Sequence, residues 1–215
     1  MIALKRFLIT RPQHDPVTTY FYAWSAELVE TAKSNGWTVE DLRVDVMRSE
    51  TQSRLSSNQP SFVVFNGHGN EGSIEGSAGE IVVDVPSAHL LGGAICFARA
   101  CSVLSVLGRA TVEKGCRAFI GYRGKFSFAR VNEYEAKPLQ DPAAGPVLEV
   151  SNVVPLRILE GHSVQESIDA AHTATKKHAL RLLSSQENYA NAALKYLMYN
   201  DTFLGFEGNG GAKVL

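Results

Sequence analysis

The sequence has 215 residues, enough for one large domain or two small ones, and 45% of them are hydrophobic, as in an ordinary globular core. The 21 lysines and arginines nearly balance the 22 aspartates and glutamates, so the charge gives no reason to expect nucleic acid or a membrane surface as a partner. No apolar run approaches the ~20 residues that span a bilayer. The opening Met1–Thr10 segment carries charges within too short an apolar stretch for a signal peptide.

The three cysteines are an odd number for a disulfide framework, so we expect free thiols in a reducing cytoplasm. We expect a single domain over residues 1–215, since no internal repeat or low-complexity block divides the chain.

The first part of the chain alternates between the periods of strands and helices. Apolar residues recur every three or four positions after Thr18, which predicts a helix that ends at Asn35-Gly36. The predicted elements, in chain order, are a strand at Phe7–Thr10, a helix from Thr18, a strand at Thr38–Val46, a helix or loop at Arg48–Gln59 and a strand at Phe62–Phe65.

The second part continues this alternation, which predicts a mostly parallel sheet covered by helices on both faces. A capping box, Ser163-Val-Gln-Glu166, marks one helix start. The predicted elements are a glycine-rich hairpin at Asn70–Glu80, strands at Ile81–Pro86 and Ala94–Ala100, a helix over Val103–Ala110, a strand at Arg117–Tyr122, an irregular and mobile stretch at Arg123–Leu148, helices at Ser151–Leu159 and after Ser163, a last strand at Ala193–Tyr199 and a frayed tail at Gly208–Gly211.

Two of the predicted buried strands end in residues that can do chemistry. The first runs into Gly67-His68-Gly69, and the second ends at Cys101. The chain between them is long enough for a crossover that returns to a parallel neighbour. Because open α/β sheets place their sites at the carboxyl ends of the strands, we expect the imidazole and the thiol to meet in one crevice.

A histidine beside a cysteine is suited to nucleophilic catalysis. Only a few per cent of an ordinary thiol is ionised at neutral pH, and a neighbouring imidazole can take its proton. The N–H groups at the start of the helix after Cys101 would favour negative charge on the sulfur. The N–H groups of Gly69 and Cys101 are the predicted donors to the oxyanion of a tetrahedral intermediate.

The order of these motifs resembles the caspase-like (clan CD) cysteine peptidases, and most of all their bacterial CHAT-type and gingipain-type branches. The resemblance rests on Gly67-His68-Gly69, the glycine-rich hairpin, Ala100-Cys101-Ser102 and the strand with Ala118-Phe-Ile-Gly121-Tyr. It implies a caspase–haemoglobinase-like three-layer α/β/α sandwich. It also implies a cysteine endopeptidase without a cofactor, with His68 as general base, Cys101 as nucleophile and Gly69 as oxyanion donor.

Substrate preference is predicted from the residue two positions before the nucleophile, which lines the side-chain pocket in this family. Here that residue is Arg99, and the motif Arg99-Ala-Cys101-Ser-Val103 departs from the caspase signature Gln-Ala-Cys-x-Gly. Arg99 and Cys101 should share a face of the strand. We therefore expect cleavage after acidic residues, with Arg123 as a second positive charge. The alternative is an internal ion pair of Arg99 with Asp201 or Glu75.

Other interpretations remain beside the peptidase. The alternative function is a catalytically inactive caspase-like scaffold or interaction module. Nucleotide binding is disfavoured, because the glycine-rich loop Gly67–Gly79 matches neither phosphate-binding pattern. Cys96 and Cys116 are predicted core residues. No metal site is predicted, because His172 and His178 lie six residues apart on their helix and not four. The expected partners are a protein or peptide substrate and a regulatory protein, without nucleic acid or membrane.

Overall fold

The computed structural model describes residues 5–214, and a six-stranded sheet lies at its centre. Its strand order is β2-β1-β3-β7-β8-β9, parallel throughout except for β9, which runs antiparallel to β8. A smaller antiparallel sheet has the order β4-β5-β6. The strands are β1 (Arg6–Pro12), β2 (Thr38–Val44), β3 (Phe62–Asn66), β4 (Gly69–Asn70), β5 (Ser73–Glu75), β6 (Ile81–Asp84), β7 (Ile95–Arg99), β8 (Ala118–Tyr122) and β9 (Leu204–Gly208).

Helices cover both faces of the central sheet, which gives the three-layer α/β/α arrangement that the sequence predicted. In β3, Phe62 and Val64 pack on one face, and Val63 and Phe65 on the other. Each face has its own buried apolar cluster, as alternation along a doubly covered strand requires. The helices are α1 (Pro16–Trp24), α2 (Ala26–Ser34), α3 (Arg48–Asn58), α4 (Arg109–Glu113), α5 (Gly145–Leu159), α6 (Val164–Leu183) and α7 (Ala190–Phe203).

The larger cluster joins α1, α2, α5, α6 and α7 to one face of the sheet, and the smaller joins α3 and the helical segment after Cys101 to the other. That segment begins as a π-helical turn over Leu104–Gly108 and continues as α4. The predicted helix after Cys101 is thus present, although its first turn is wider than an α-helix. The first predicted helix is present as two helices, since the helix is interrupted at Ser25, between α1 and α2.

The prediction for the last strand is wrong. Residues Ala193–Tyr199 belong to α7, and the strand that completes the sheet is β9. The predicted tail at Gly208–Gly211 is also not frayed, since the N–H of Asn209 donates to the Arg117 carbonyl at 2.9 Å and the N–H of Gln165 donates to the Gly210 carbonyl at 2.8 Å. The irregular stretch after β8 is shorter than predicted, because α5 begins at Gly145. No helix within residues 5–214 is long and apolar enough to cross a membrane.

Candidate active site

The candidate site lies where β3 and β7 end side by side. The last paired residues of these strands are Asn66 and Arg99, and the N–H of Gly67 donates to the Arg99 carbonyl at 3.3 Å. His68 and Cys101 each follow that pair by two residues. The structure therefore brings the two predicted strand ends together at one edge of the sheet.

The glycines on either side of His68 are explained by close approach of other chain segments, not by a left-handed backbone. A Cβ on Gly67 would overlap the carbonyl oxygen of Glu75. A Cβ on Gly69 would lie 3.1 Å from the Cβ of Ala100 and 3.0 Å from Cγ1 of Val103. The hairpin that starts at Gly69 thus packs directly against the side chains of Ala100 and Val103 on either side of Cys101, and any larger residue at position 69 would push it away.

The register of this hairpin leaves the N–H of Gly69 available. Gly69 pairs with Ile74 across β4 and β5, and the N–H of Glu75 donates to the His68 carbonyl at 3.0 Å. A bond in this position marks Gly69 and Ile74 as a non-hydrogen-bonded pair, so the N–H of Gly69 points away from β5. The donor predicted from the sequence therefore does not take part in the hairpin ladder.

His68 is held by an aspartate that the sequence analysis did not identify. Its Nε2 lies 2.6 Å from Oδ2 of Asp15, and its side chain is 40% exposed. Among the described residues no hydrogen bond joins His68 to Cys101. Because Nε2 is hydrogen-bonded to the Asp15 carboxylate, Nδ1 is the ring nitrogen that could accept a proton from a thiol.

Asp15 is in turn fixed by the start of α1. Its carboxylate accepts a hydrogen bond from the N–H of Thr18 at 2.8 Å, and Pro16 occupies the first helical position. Partial burial acts to raise the pKa of Asp15, but the hydrogen bonds from Thr18 and His68 and the charge of His68 outweigh it, so the net shift is downward. An aspartate followed by proline at a strand-to-helix junction is a recognisable N-cap signal. Its contact with His68, however, depends on the tertiary fold.

Cys101 lies half-buried at the end of β7, with Sγ 3.8 Å from the carbonyl oxygen of Phe126. The next residue, Ser102, has φ of 58°, an uncommon conformation for a residue with a side chain. Its N–H donates to the Gly124 carbonyl at 2.8 Å. Backbone strain of this kind concentrates at functional sites, and here it turns the chain sharply after the thiol.

Arg99 is completely buried below this edge. Its Nε donates to Oγ of Ser151 at 2.8 Å, one terminal nitrogen donates to Oδ1 of Asn66 at 3.1 Å, and the other donates to Oδ1 of Asn152. Burial lowers the pKa of Arg99 to about 10, which still leaves the guanidinium charged at neutral pH.

The alternative ion pairs of Arg99 do not form in the described chain, where its three contacts are neutral oxygens. Asp201 is instead 2.8 Å from Nδ1 of His172. The second predicted pocket residue, Arg123, is half-exposed and forms an ion pair with Glu207 at 2.8 Å. The charge of Arg99 is therefore enclosed without a carboxylate, while that of Arg123 is already compensated.

A cavity of about 450 Å³ lies elsewhere, near the start of α5 and the end of α6. Trp24, Asp141, Glu149 and Arg181 are among its lining residues, and neither His68 nor Cys101 borders it. The candidate site is thus separate from this cavity.

No protein-family model matches the sequence, and no curated protein matches it. Among solved structures, the fold is similar to a complex of Porphyromonas gingivalis RgpB pro- and mature domains, with a TM-score of 0.56 and 11% sequence identity. The match covers 96% of this chain and 47% of the other, so the chain spans about half the length of this neighbour. The likeness supports the caspase-like α/β/α fold predicted from the sequence.

Proposed function

We propose that this protein is a cysteine endopeptidase that cleaves peptide bonds in protein substrates with His68 and Cys101. The observation that carries the proposal is the pairing of β3 with β7 up to Asn66 and Arg99, which puts a partly exposed imidazole and a partly exposed thiol on neighbouring strand ends. The fold shared with RgpB, a gingipain, gives the scaffold on which such a pair would act.

The proposed reaction proceeds through a thioester. Nδ1 of His68 takes the proton of Cys101 as Sγ attacks the carbonyl carbon of the scissile bond. The N–H groups of Gly69 and Cys101 donate to the resulting oxyanion. The C–N bond then breaks, and His68 returns the proton to the leaving amine. Water, deprotonated by His68, hydrolyses the thioester to a carboxylic acid and restores the thiol.

Asp15 has a positioning role in this scheme. Its carboxylate accepts a hydrogen bond from the N–H at Nε2 of His68, which fixes the tautomer with a free lone pair on Nδ1. The carboxylate also stabilises the imidazolium that forms when Cys101 loses its proton. The arrangement is therefore an Asp–His–Cys triad drawn from the segments that follow β1, β3 and β7.

A preference for acidic residues before the cut is the second part of the proposal. It is supported by the buried charge of Arg99, which has only neutral hydrogen-bond partners. In a low-dielectric interior the positive charge of Arg99 makes the electrostatic potential at the adjacent sheet edge more positive, which favours binding of a substrate carboxylate there. A direct two-point clamp would require Ser151 or Asn152 to give up its hydrogen bond. Arg123 contributes little, because an exposed ion pair is nearly neutral.

Regulation and location complete the proposal. Hydrogen bonding between His68 and Cys101 requires a rearrangement of the site, which a substrate or a regulatory protein partner would supply. A cytoplasmic, reducing setting agrees with the three free cysteines, since a nucleophilic thiol must stay reduced.

An inactive scaffold is the competing function. It is favoured by the absence, among the described residues, of a hydrogen bond between His68 and Cys101.

A peptide library derived from whole-proteome digests would test the proposal, with cleavage sites identified by mass spectrometry. We expect cuts by the wild type, none by Cys101→Ala, and enrichment of aspartate or glutamate before the cut. Arg99→Gln, which keeps hydrogen-bond donors but removes the charge, should lower kcat/KM for acidic sites at least about tenfold. Arg123→Ala is the matched control and should change it little.

The two parts fail separately. Cuts after lysine or arginine, with none after acidic residues, would refute the role of Arg99 while leaving the peptidase intact. Equal cleavage by Cys101→Ala would refute the peptidase mechanism itself.

A further inference from the structure

Two histidines and one carboxylate converge at the edge of the sheet. Oδ2 of Asp15 lies 2.6 Å from Nε2 of His68 and 3.4 Å from Nε2 of His14. One nitrogen of each ring and one oxygen of the carboxylate all lie within 4.8 Å of one another. The two rings approach nearly edge to face, with centroids 6.1 Å apart. The loop after β1 and the loop after β3 thus present three potential ligand atoms to one point.

Two of the three groups are held in position by α1. The N–H groups of His14 and Asp15 both donate to Oγ1 of Thr18, at 3.1 Å each. Their backbone is therefore fixed before any ion binds, which reduces the ordering cost of binding. The His68 side chain is 40% exposed, so an ion can reach the cluster from solvent.

The chemistry of the three ligands selects the kind of ion. Two imidazole nitrogens and one carboxylate oxygen form a set that Zn²⁺ and similar transition-metal ions bind with an open fourth position. Calcium and magnesium prefer oxygen ligands. The positive end of α1 opposes a cation here, but the Asp15 carboxylate already caps that end.

We propose that His14, Asp15 and His68 bind one divalent transition-metal ion of the zinc class, and that this ion switches the peptidase off. The second half rests on the proposed function. In the metal-free state Nε2 of His68 carries its proton and Nδ1 has the lone pair that accepts from Cys101. A metal on Nε2 would take the lone pair that is left when the proton moves, through solvent, from Nε2 to Nδ1; the Nε2–H bond breaks, the Nδ1–H bond forms, and the ring stays neutral. The lone pair on Nδ1 that Cys101 needs is then occupied by a proton, and Cys101 can no longer pass its own proton to His68.

The sequence does not predict this site, because its ligands do not have the spacing of a metal pair on one helix. Asp15 and His68 are 53 residues apart. Only the neighbouring positions of β1 and β3 in the sheet bring them together.

Isothermal titration of the metal-free chain with Zn²⁺ measures binding without any need for activity. We expect one ion per chain, binding weakened at least about tenfold in His14→Ala, and no change in His89→Ala, an exposed histidine outside the cluster. Cys101→Ala should bind as the wild type does. Absence of binding, binding insensitive to His14→Ala, or binding lost in Cys101→Ala would each overturn the proposed site.

Cobalt(II) gives a second readout of the ligands. The bound ion should show ligand-field bands without a thiolate-to-cobalt charge-transfer band, and such a band would overturn the ligand set. If peptide cleavage is found, Zn²⁺ should inhibit it, with the inhibitory concentration raised in His14→Ala. Binding at His14 without any peptidase activity would refute the proposed function and keep the site, whereas cleavage unaffected by bound Zn²⁺ would refute the switch.

Discussion

The buried cysteines Cys96 and Cys116 and the half-buried Cys101 have the same side chain but different surroundings. Cys96 is buried within β7, and its sulfur lies 3.8 Å from that of Cys116, which is also buried. Cys101 follows the end of the same strand, half-buried beside the hairpin that starts at Gly69. A few residues along one strand thus separate a packing residue from a candidate nucleophile. Position relative to the strand end decides which role a thiol can have.

The surroundings of Cys96 and Cys101 also differ in how readily each thiol can lose its proton. Burial and the neighbouring Cys116 raise the pKa of Cys96 well above its ordinary value, so its thiolate is disfavoured. Cys101 instead has a backbone carbonyl at 3.8 Å, a strained Ser102 after it and the His68 strand end beside it. Reactive cysteines require access and a partner for their proton, and the buried pair offers no access to a substrate.

The largest expected effect separates the two groups by activity. Cys101→Ala should abolish peptide hydrolysis, because nucleophilic catalysis and general-base assistance act as a unit worth several orders of magnitude in rate. Cys96→Ala is the matched control and should keep wild-type turnover per folded molecule. The measurement is the initial rate on any cleaved peptide. If both variants lost activity equally, the distinction between the two groups would not hold.

A smaller effect is expected at the carboxylate behind His68. Asp15→Asn keeps a side-chain oxygen to cap α1, but it no longer stabilises the imidazolium or fixes its tautomer. We expect kcat to fall at least about tenfold, with KM nearly unchanged. Steady-state kinetics checks this, and circular dichroism confirms that the helix is retained. A change confined to KM would show that Asp15 acts on substrate binding instead.

Close packing at the glycine beside His68 gives a further test. The Cβ introduced by Gly69→Ala would lie 2.9 Å from the Ser73 carbonyl oxygen and press on Ala100 and Val103. The hairpin should therefore move away from Cys101, with a cost of about 1–3 kcal/mol in stability and a clear loss of rate. Gly36→Ala is a useful contrast, because its added Cβ meets nothing within 4 Å and only its positive φ opposes it. Urea unfolding and initial rates would reveal whether the two variants differ in activity.

The smallest expected effect is on stability at the buried pair. Cys96→Ala and Cys116→Ala each remove a sulfur from a packed interior and should lower the free energy of unfolding by about 1–2 kcal/mol. Denaturant unfolding measures the loss. A much larger loss, or a loss of activity in the folded variant, would mean that the pair contributes more than packing.

The sequence predicted the strands that carry the site because their apolar runs and their ends are local features. Phe62–Phe65 is buried on both faces, and the glycines around His68 mark where other chain segments come close. The last strand was missed for a related reason. Ala193–Tyr199 is apolar but rich in helix-forming residues, whereas β9 contains two glycines and is stabilised by pairing with β8.

The remaining features depend on which distant elements meet. The contact of Asp15 with His68 requires β1 and β3 to be neighbours in the sheet. The sequence around Asp15 does not indicate which distant residue its carboxylate will contact. The neutral surroundings of Arg99 are supplied largely by Ser151 and Asn152 on α5. From the sequence an acidic partner was the natural alternative, since an unpaired buried charge is costly. Three hydrogen bonds to neutral oxygens meet part of that cost.

The most direct test of the central claim is the rate at which iodoacetamide labels each cysteine, followed by peptide mass spectrometry at neutral pH. If His68 activates Cys101, Cys101 alone should react rapidly in the native protein, and His68→Ala should slow that reaction at least about tenfold without changing its exposure. Cys96 and Cys116 should react only after unfolding. Equal labelling of the three thiols, or a Cys101 rate that does not respond to His68→Ala, would contradict the account.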